Sequence, residues 1–295
     1  MSALPPALTL YGAAASGSVA VEAALTLIGL PFTVVEGATW ASEAARERVR
    51  AHSAMRQIPT LVLSDGQVLT ECGAILLHLA DTHPAAGLAP PPASPSRAPF
   101  LRWMFFVSSA IYALHWIKPD VGRIGAPASA RDAVVDAVHE RIAFCWRTMD
   151  AEMRPARYLL GDTLSVLDLY VAVVSRFGPW RARFEAEAPR MAPAIRRVDA
   201  EPRLQALWQR RFAHCGGGAV ARAPRASKRS PNFGTSRSTS SRFAAAAARS
   251  TGSCQRCMPR SKLPLCTLTM RRPRRSRCAC TACSGNMCTS GHIAS

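Results

Sequence analysis

Residues Met55–Asp81 read MRQIPTLVLSDGQVLTECGAILLHLAD, and this stretch decides the fold. Thr60-Leu61-Val62-Leu63 is a short β-prone run. Ser64-Asp65-Gly66-Gln67 follows it with the Asp-Gly pair that hairpins favour. Val68-Leu69 serves as the return strand, and Pro59 sits just before the first strand, where a missing N–H does least harm. Thr70 is the expected N-cap of a helix that opens at Glu71. Ala74, Ile75, Leu76, Leu77, Leu79 and Ala80 are too continuous an apolar run for an exposed helix and predict burial on most sides.

Working back toward the start, Leu8-Thr9-Leu10-Tyr11 is a strand and residues 12–17 a small-residue loop. Apolar residues from Val19 to Leu30 recur at helical spacing, with Gly29 as a stop. Residues 31–35 are a second strand, and residues 41–52 a charged helix. The order βαβαββα is that of an α/β thioredoxin-like domain, assigned to residues 1–83. Working forward, residues 84–99 form a proline-rich linker, with six prolines in Thr82–Pro99, and should be extended. No strand pattern follows. Long helices are expected over Phe100–Ile117 and Ala130–Met153, and a third over Val166–Phe177 behind a Ser165/Asp168 capping box. Two shorter helical stretches follow near 190–198 and 201–212. Residues 100–214 are therefore an all-α C-terminal domain.

Charge divides the chain. All 19 acidic residues lie in residues 1–201, and residues 1–218 carry 22 basic groups, a net of +3 there. Eight of the ten cysteines lie from Cys215 onward, and the remaining 15 basic groups lie beyond residue 218, so the formal +18 belongs to the tail. It is no sign of nucleic-acid binding by the first 218 residues. Cys72 and Cys145 alone in 214 residues fit a reducing compartment. With no leader pattern and no apolar run of spanning length, a cytoplasmic location without membrane attachment is expected. Residues 215–295 have no apolar periodicity and should be disordered. Cys254/Cys257 and Cys280/Cys283 have roughly zinc-ribbon spacing, and Arg271–Arg275 could attract phosphate. A tail without acids that begins abruptly fits a shifted reading frame better than either, so no metal site is assigned and nucleic acid is an unlikely partner.

Ile58-Pro59-Thr60-Leu61, followed by Thr70-Glu71-Cys72 and an apolar helix, resembles the glutathione-binding half of the cytosolic glutathione S-transferases, in the bacterial theta- and beta-like manner. The resemblance covers residues 8–212 and includes Tyr158–Asp162 before the capping box. It implies glutathione as co-substrate and a small hydrophobic electrophile as its target. It also implies a homodimer and a role in detoxification. It places Pro59 in a cis peptide, with the Ile58 backbone pairing with the cysteinyl part of glutathione like an added strand. Gln57, Glu71 and Cys72 complete the glutathione site. Glu71 and Cys72, expected at N1 and N2, would hold the γ-glutamyl end through free N–H groups and the Glu71 carboxylate. The family usually has Glu-Ser here, and a thiol is the weaker donor.

By the same resemblance Ser16, five residues after Tyr11, activates the thiol, with Ser18 as fallback. Ionising that thiol at pH 7 means lowering a pKa of about 8.5 by roughly 2 units, or about 2.7 kcal/mol. A hydroxyl bond to the thiolate contributes about 1.5–3 kcal/mol, and a helix N-terminus about 0.3–1. Together these suffice. On spacing alone Ser16 is equally an ordinary N-cap. Tyr112, His115 and Trp116 are expected to line the electrophile pocket, although an aromatic-rich helix packs such residues in a core just as readily. Alternatives are a non-catalytic binding protein on the same fold and a glutathione-dependent isomerase or peroxidase.

Overall fold

The computed structural model describes residues 8–213; expectations for the tail, zinc and nucleic-acid arms included, lie outside the described residues. The chain begins β1 (Leu8–Gly12), α1 (Ser18–Ile28), β2 (Phe32–Glu36), α2 (Glu43–Arg50), β3 (Thr60–Val62), β4 (Val68–Thr70) and α3 (Cys72–Thr82). The four strands form one sheet in the order β2-β1-β3-β4. β1 pairs parallel with β2, Leu10 opposite Val34, and antiparallel with β3, Leu10 opposite Leu61. The Asp65-Gly66 turn returns β4 onto β3, Leu69 opposite Leu61. This is the expected thioredoxin-like βαβαββα arrangement. Gly29 ends α1 at φ 82°, where a glycine is needed to donate back to Leu25 and Thr26.

Thr70 is not a cap: it is the last residue of β4, paired with Thr60. The cap is Glu71, at φ 67° and ψ 112°, so α3 starts one residue later than expected. Of its apolar run, Ile75, Leu76, Leu79 and Ala80 are buried, while Ala74 is exposed and Leu77 partly buried. The helix therefore has one solvent edge.

The linker is short and tied down. Leu88 is buried, and its carbonyl accepts from the Val166 N–H. Arg97 clamps Asp81 with two bonds of 2.8 and 2.6 Å. Beyond it run α4 (Arg97–Phe106), α5 (Arg131–Glu152), α6 (Val166–Val174), α7 (Trp180–Glu187), α8 (Ala192–Asp199) and α9 (Gln205–Phe212). The expected single helix over 100–117 is broken. After α4 the chain forms a π-turn over Val107–Ile111 and a 3₁₀ turn over Tyr112–Trp116. The Ser109 hydroxyl bonds the Phe105 carbonyl at 2.8 Å, competing with the helical ladder where it loosens. α6 stops at Val174, where Ser175 likewise bonds the Val171 carbonyl at 2.6 Å. α7 had no expected counterpart. It follows a cis Gly178–Pro179 bond and buries only Phe184, too little apolar periodicity to read from sequence. One core runs from Leu10 and Leu61 through α1 and α3 into α4, α5, α6, α8 and α9. Each buried Leu, Ile, Val or Phe side chain in it contributes about 1.5–3 kcal/mol.

Candidate active site

The site is built where α1 and α3 begin. Gly17 is the N-cap of α1, whose Ser18 N–H donates to the Ser16 hydroxyl at 3.3 Å and Val19 N–H to the Ser16 carbonyl at 3.2 Å, whereas no side chain caps α3. The first helical bond of α3 is Ile75 N–H to Glu71 O. The N–H groups of Cys72, Gly73 and Ala74 are left without partners in the helix. The two helix ends are joined directly, because the Cys72 thiol donates to the Gly17 carbonyl at 3.4 Å. Cys72 is therefore N1 rather than N2, and its thiol points inward. Burial pushes that thiol far above its ordinary pKa, so it remains protonated and unreactive. Its backbone N–H has no partner among the described residues.

Ser16 lies one residue before the cap and is not itself an N-cap. Its hydroxyl is 2.8 Å from the Ala13 carbonyl and 2.8 Å from the Ser18 hydroxyl. Ser18 is fully buried and accepts from the Ala13 N–H at 3.0 Å. It also lies 3.3 Å from the Ala13 carbonyl. Two hydroxyl protons thus share one carbonyl acceptor. A carbonyl can accept both, so the Ser16 proton reaches another partner only by leaving Ala13 and Ser18. Ser18 is fully buried, and Ser16 is 7 % exposed.

Ile58 and Pro59 are joined by a cis peptide. Neither the N–H nor the C=O of Ile58 has a hydrogen-bond partner among the described residues. This is the open edge that an extended peptide needs. Gln57 has an exposed side chain, and its backbone is held by the Ser53 and Thr60 hydroxyls at 3.4 and 2.9 Å. Glu71 is exposed and sits in the left-handed region that L-residues avoid. A non-glycine there is held at about 1–3 kcal/mol above its relaxed state.

Of the three aromatic candidates, Tyr112 reaches this place. A Cβ on Gly17 would collide with the Tyr112 hydroxyl, so only glycine fits beneath it. Burial pushes the phenol well above its usual pKa, which keeps it a neutral donor. The His115 ring packs edge-on to Phe177 at 5.4 Å. Burial, then Lys118 and His139, lower its pKa to about 3, and its Nε2 is buried without a partner. Trp116 is 45 % exposed, with the Arg123 guanidinium 5.0 Å over its ring. The contacts of His115 and Trp116 are thus with the helical layer. Two surface hollows, about 240 Å³ beside Leu30 and His78 and about 350 Å³ beside Arg157 and Glu201, contain none of the candidate residues.

Three further residues border the site without a local sequence signal. Tyr170 on α6 stands edge-on to Tyr112 at 5.9 Å, and its buried hydroxyl has no partner among the described residues. Glu22 on α1 pairs with Arg211 on α9 across 189 residues. Only Glu22's place among Val19, Val21 and Ala23 hints that a distant partner is needed.

The arrangement matches known proteins. The sequence profile of the glutathione S-transferase N-terminal domain fits residues 18–82. Glutathione S-transferase GST-4.5 of Xanthomonas campestris is 34% identical over 154 residues, 50% of this chain and 71% of that one. The chain belongs to the glutathione S-transferase family. The GST-like protein YncG of Escherichia coli is 26% identical to this family member over 203 residues, 68% of this chain and 96% of its own. A glutathione transferase homologue from Sulfitobacter, solved with bound glutathione, superimposes with a TM-score of 0.61 at 26% identity, covering 69% of this chain and 98% of its own.

Proposed function

We propose that this protein binds glutathione across the starts of α1 and α3 and transfers its sulfur to a small hydrophobic electrophile. The observation that carries the reading is the junction of α1 and α3. The two helix starts are joined by a thiol–carbonyl bond, and the first N–H groups of α3 have no partner among the described residues. The start of α3 suits a carboxylate through those N–H groups, and the start of α1 adds its dipole to the Ser16 hydroxyl for a thiolate. The γ-glutamyl carboxylate takes the N–H groups at the start of α3, and the Glu71 carboxylate takes the α-ammonium. The cysteinyl backbone pairs with Ile58, beside Gln57. The Ser16 hydroxyl turns from the Ala13 carbonyl to donate to the thiolate, and Ser18 keeps its bond to that carbonyl. The thiolate attacks the electrophile, the new C–S bond forms as the leaving group departs with its electron pair, and Tyr112 lines the pocket. The protein works as a homodimer, for which exposed Met55 and Phe105 offer apolar surface.

Ser16→Ala tests this. The pKa of bound glutathione should rise by about 1–2 units, and turnover of a chromogenic aryl halide should fall roughly 10- to 100-fold. The acidic limb of the rate profile should move to higher pH, because the reactive anion forms only above the thiol pKa. Unchanged values would remove Ser16 from the mechanism. A second reading is a glutathione binder without turnover. It is favoured by the bond that already holds the Ser16 hydroxyl on Ala13. Retention on immobilised glutathione with no product from any electrophile would establish it.

A further inference from the structure

We infer that Arg211, near the end of α9, is a positioning residue that holds the β1–α1 loop in the shape that presents Ser16. The inference rests on the proposed role of Ser16 for its catalytic consequence, but the tether itself is a matter of geometry.

Arg211 grips the loop at three points. Its carbonyl accepts from the Ala15 N–H at 3.1 Å. Ala15 is the residue before Ser16 and sits at φ 52°, a conformation that alanine adopts only when its surroundings impose it. The Arg211 Nε donates to Glu22 Oε2 at 2.9 Å, on the helix that leaves the loop. Its Nη1 donates to Glu36 Oε1 at 2.5 Å, at the end of β2. The next residue, Gly37, donates to the Gly12 carbonyl at 2.8 Å, where the loop begins. One side chain and its own carbonyl thus fix the entry, the turn and the exit of the loop.

The charges make the grip specific. Glu22 is fully buried and its Oε1 has no partner among the described residues. Burial raises its pKa, and Arg211 opposes that rise. Arg210 lies 4.0 Å from Glu22 but is 60 % exposed, too loose to replace it. Lysine cannot reach both carboxylates at once, whereas the guanidinium fork spans them. The Arg211 side chain is itself 9 % exposed, so its pair with the buried Glu22 is shielded from solvent.

Removing Arg211 alone would leave a buried carboxylate unpaired and endanger the fold. The test therefore uses the neutral pair Glu22→Gln/Arg211→Met, with Arg211→Lys and the milder Glu36→Gln beside it. Glu36 is largely exposed, so Glu36→Gln should fold in any case. Two quantities are read. Amide exchange over residues 12–18 reports the tether without any ligand. Faster exchange at Ala15 is expected in all three, largest in the double variant. The second readout is the pKa of bound glutathione with kcat and Kd. Turnover should fall roughly tenfold in the double variant and the thiol pKa should rise, since small displacements of a reacting group are costly. The Kd for glutathione should stay within about twofold, because Ile58 and the start of α3 are untouched. Unchanged exchange over residues 12–18 overturns the inference. So does altered exchange with wild-type kcat and thiol pKa in a protein where Ser16→Ala lowers both activity and thiolate. If Ser16→Ala is itself without effect, the proposed function fails, and the exchange data still decide the tether.

Discussion

The helices α3 and α6 both begin beside a carboxylate, yet they solve the same problem in opposite ways. At α6 the Asp168 carboxylate turns inward. It accepts from the Leu159 N–H at 2.8 Å, the Ser165 N–H at 2.9 Å and the Ser165 hydroxyl at 2.6 Å, and it is completely buried. At α3 the Glu71 carboxylate caps nothing, its backbone is strained, and three N–H groups have no partner among the described residues. A closed end serves folding. An open and strained end is what a binding site needs, because a ligand can then supply the missing cap.

The sharpest way to break this contrast is to open the closed end. Asp168→Ala strands two backbone donors and should destabilise the protein by about 2–4 kcal/mol. Thermal unfolding should show it as a fall of roughly 4–16 °C, with glutathione affinity of the folded fraction unchanged. A change in affinity comparable to that loss would mean the two ends are not separate. Next in size, Glu71→Gln should weaken glutathione binding about tenfold by calorimetry, with little change in melting temperature. Third, Glu71→Gly should bind still more weakly yet melt higher, by about 1 kcal/mol of stability, because glycine relieves the left-handed backbone. A lower melting point would show that the strain is not there.

Titration offers a finer comparison. Burial pushes the Asp168 pKa up to about 6, against 3.8 for the free side chain. Between these values the folded protein holds more of this proton than the unfolded chain. The Asp168 contribution therefore makes stability decline as pH rises from about 4 to 6 and level off above. Asp168→Asn should remove that slope in urea titrations. The smallest effect is expected from Cys72→Ser. The hydroxyl can take over the bond to the Gly17 carbonyl, so affinity should change less than about threefold. A larger gain would mean the side chain at this position also faces glutathione.

Much of this was legible in the chain. Local signals carried the four strands, the Asp65-Gly66 turn, the Gly29 stop and the Ser165/Asp168 box, because each depends on residues within a few positions. The Ile58-Pro59 and Glu71-Cys72 motifs named the candidate site for the same reason. Other features depended on distant partners. Thr70 looked like a cap until strand pairing with Thr60 claimed it. The expected helix over 100–117 broke where Ser109 turned onto Phe105. Cys72 was a doubtful donor by sequence, and only Gly17, 55 residues earlier, gives its thiol a role.

What the sequence determined by itself was the order of elements, the family resemblance and the residue types at the two helix starts. Periodicity and turn chemistry are short-range properties and survive in one dimension. What tertiary structure alone decided was which hydroxyl is accessible, where the Cys72 thiol points and what holds the Ser16 loop. Those answers turn on Ala13, Gly17, Glu22 and Arg211 meeting in space. Burial and pairing arise only when α1, α3 and α9 close on one another.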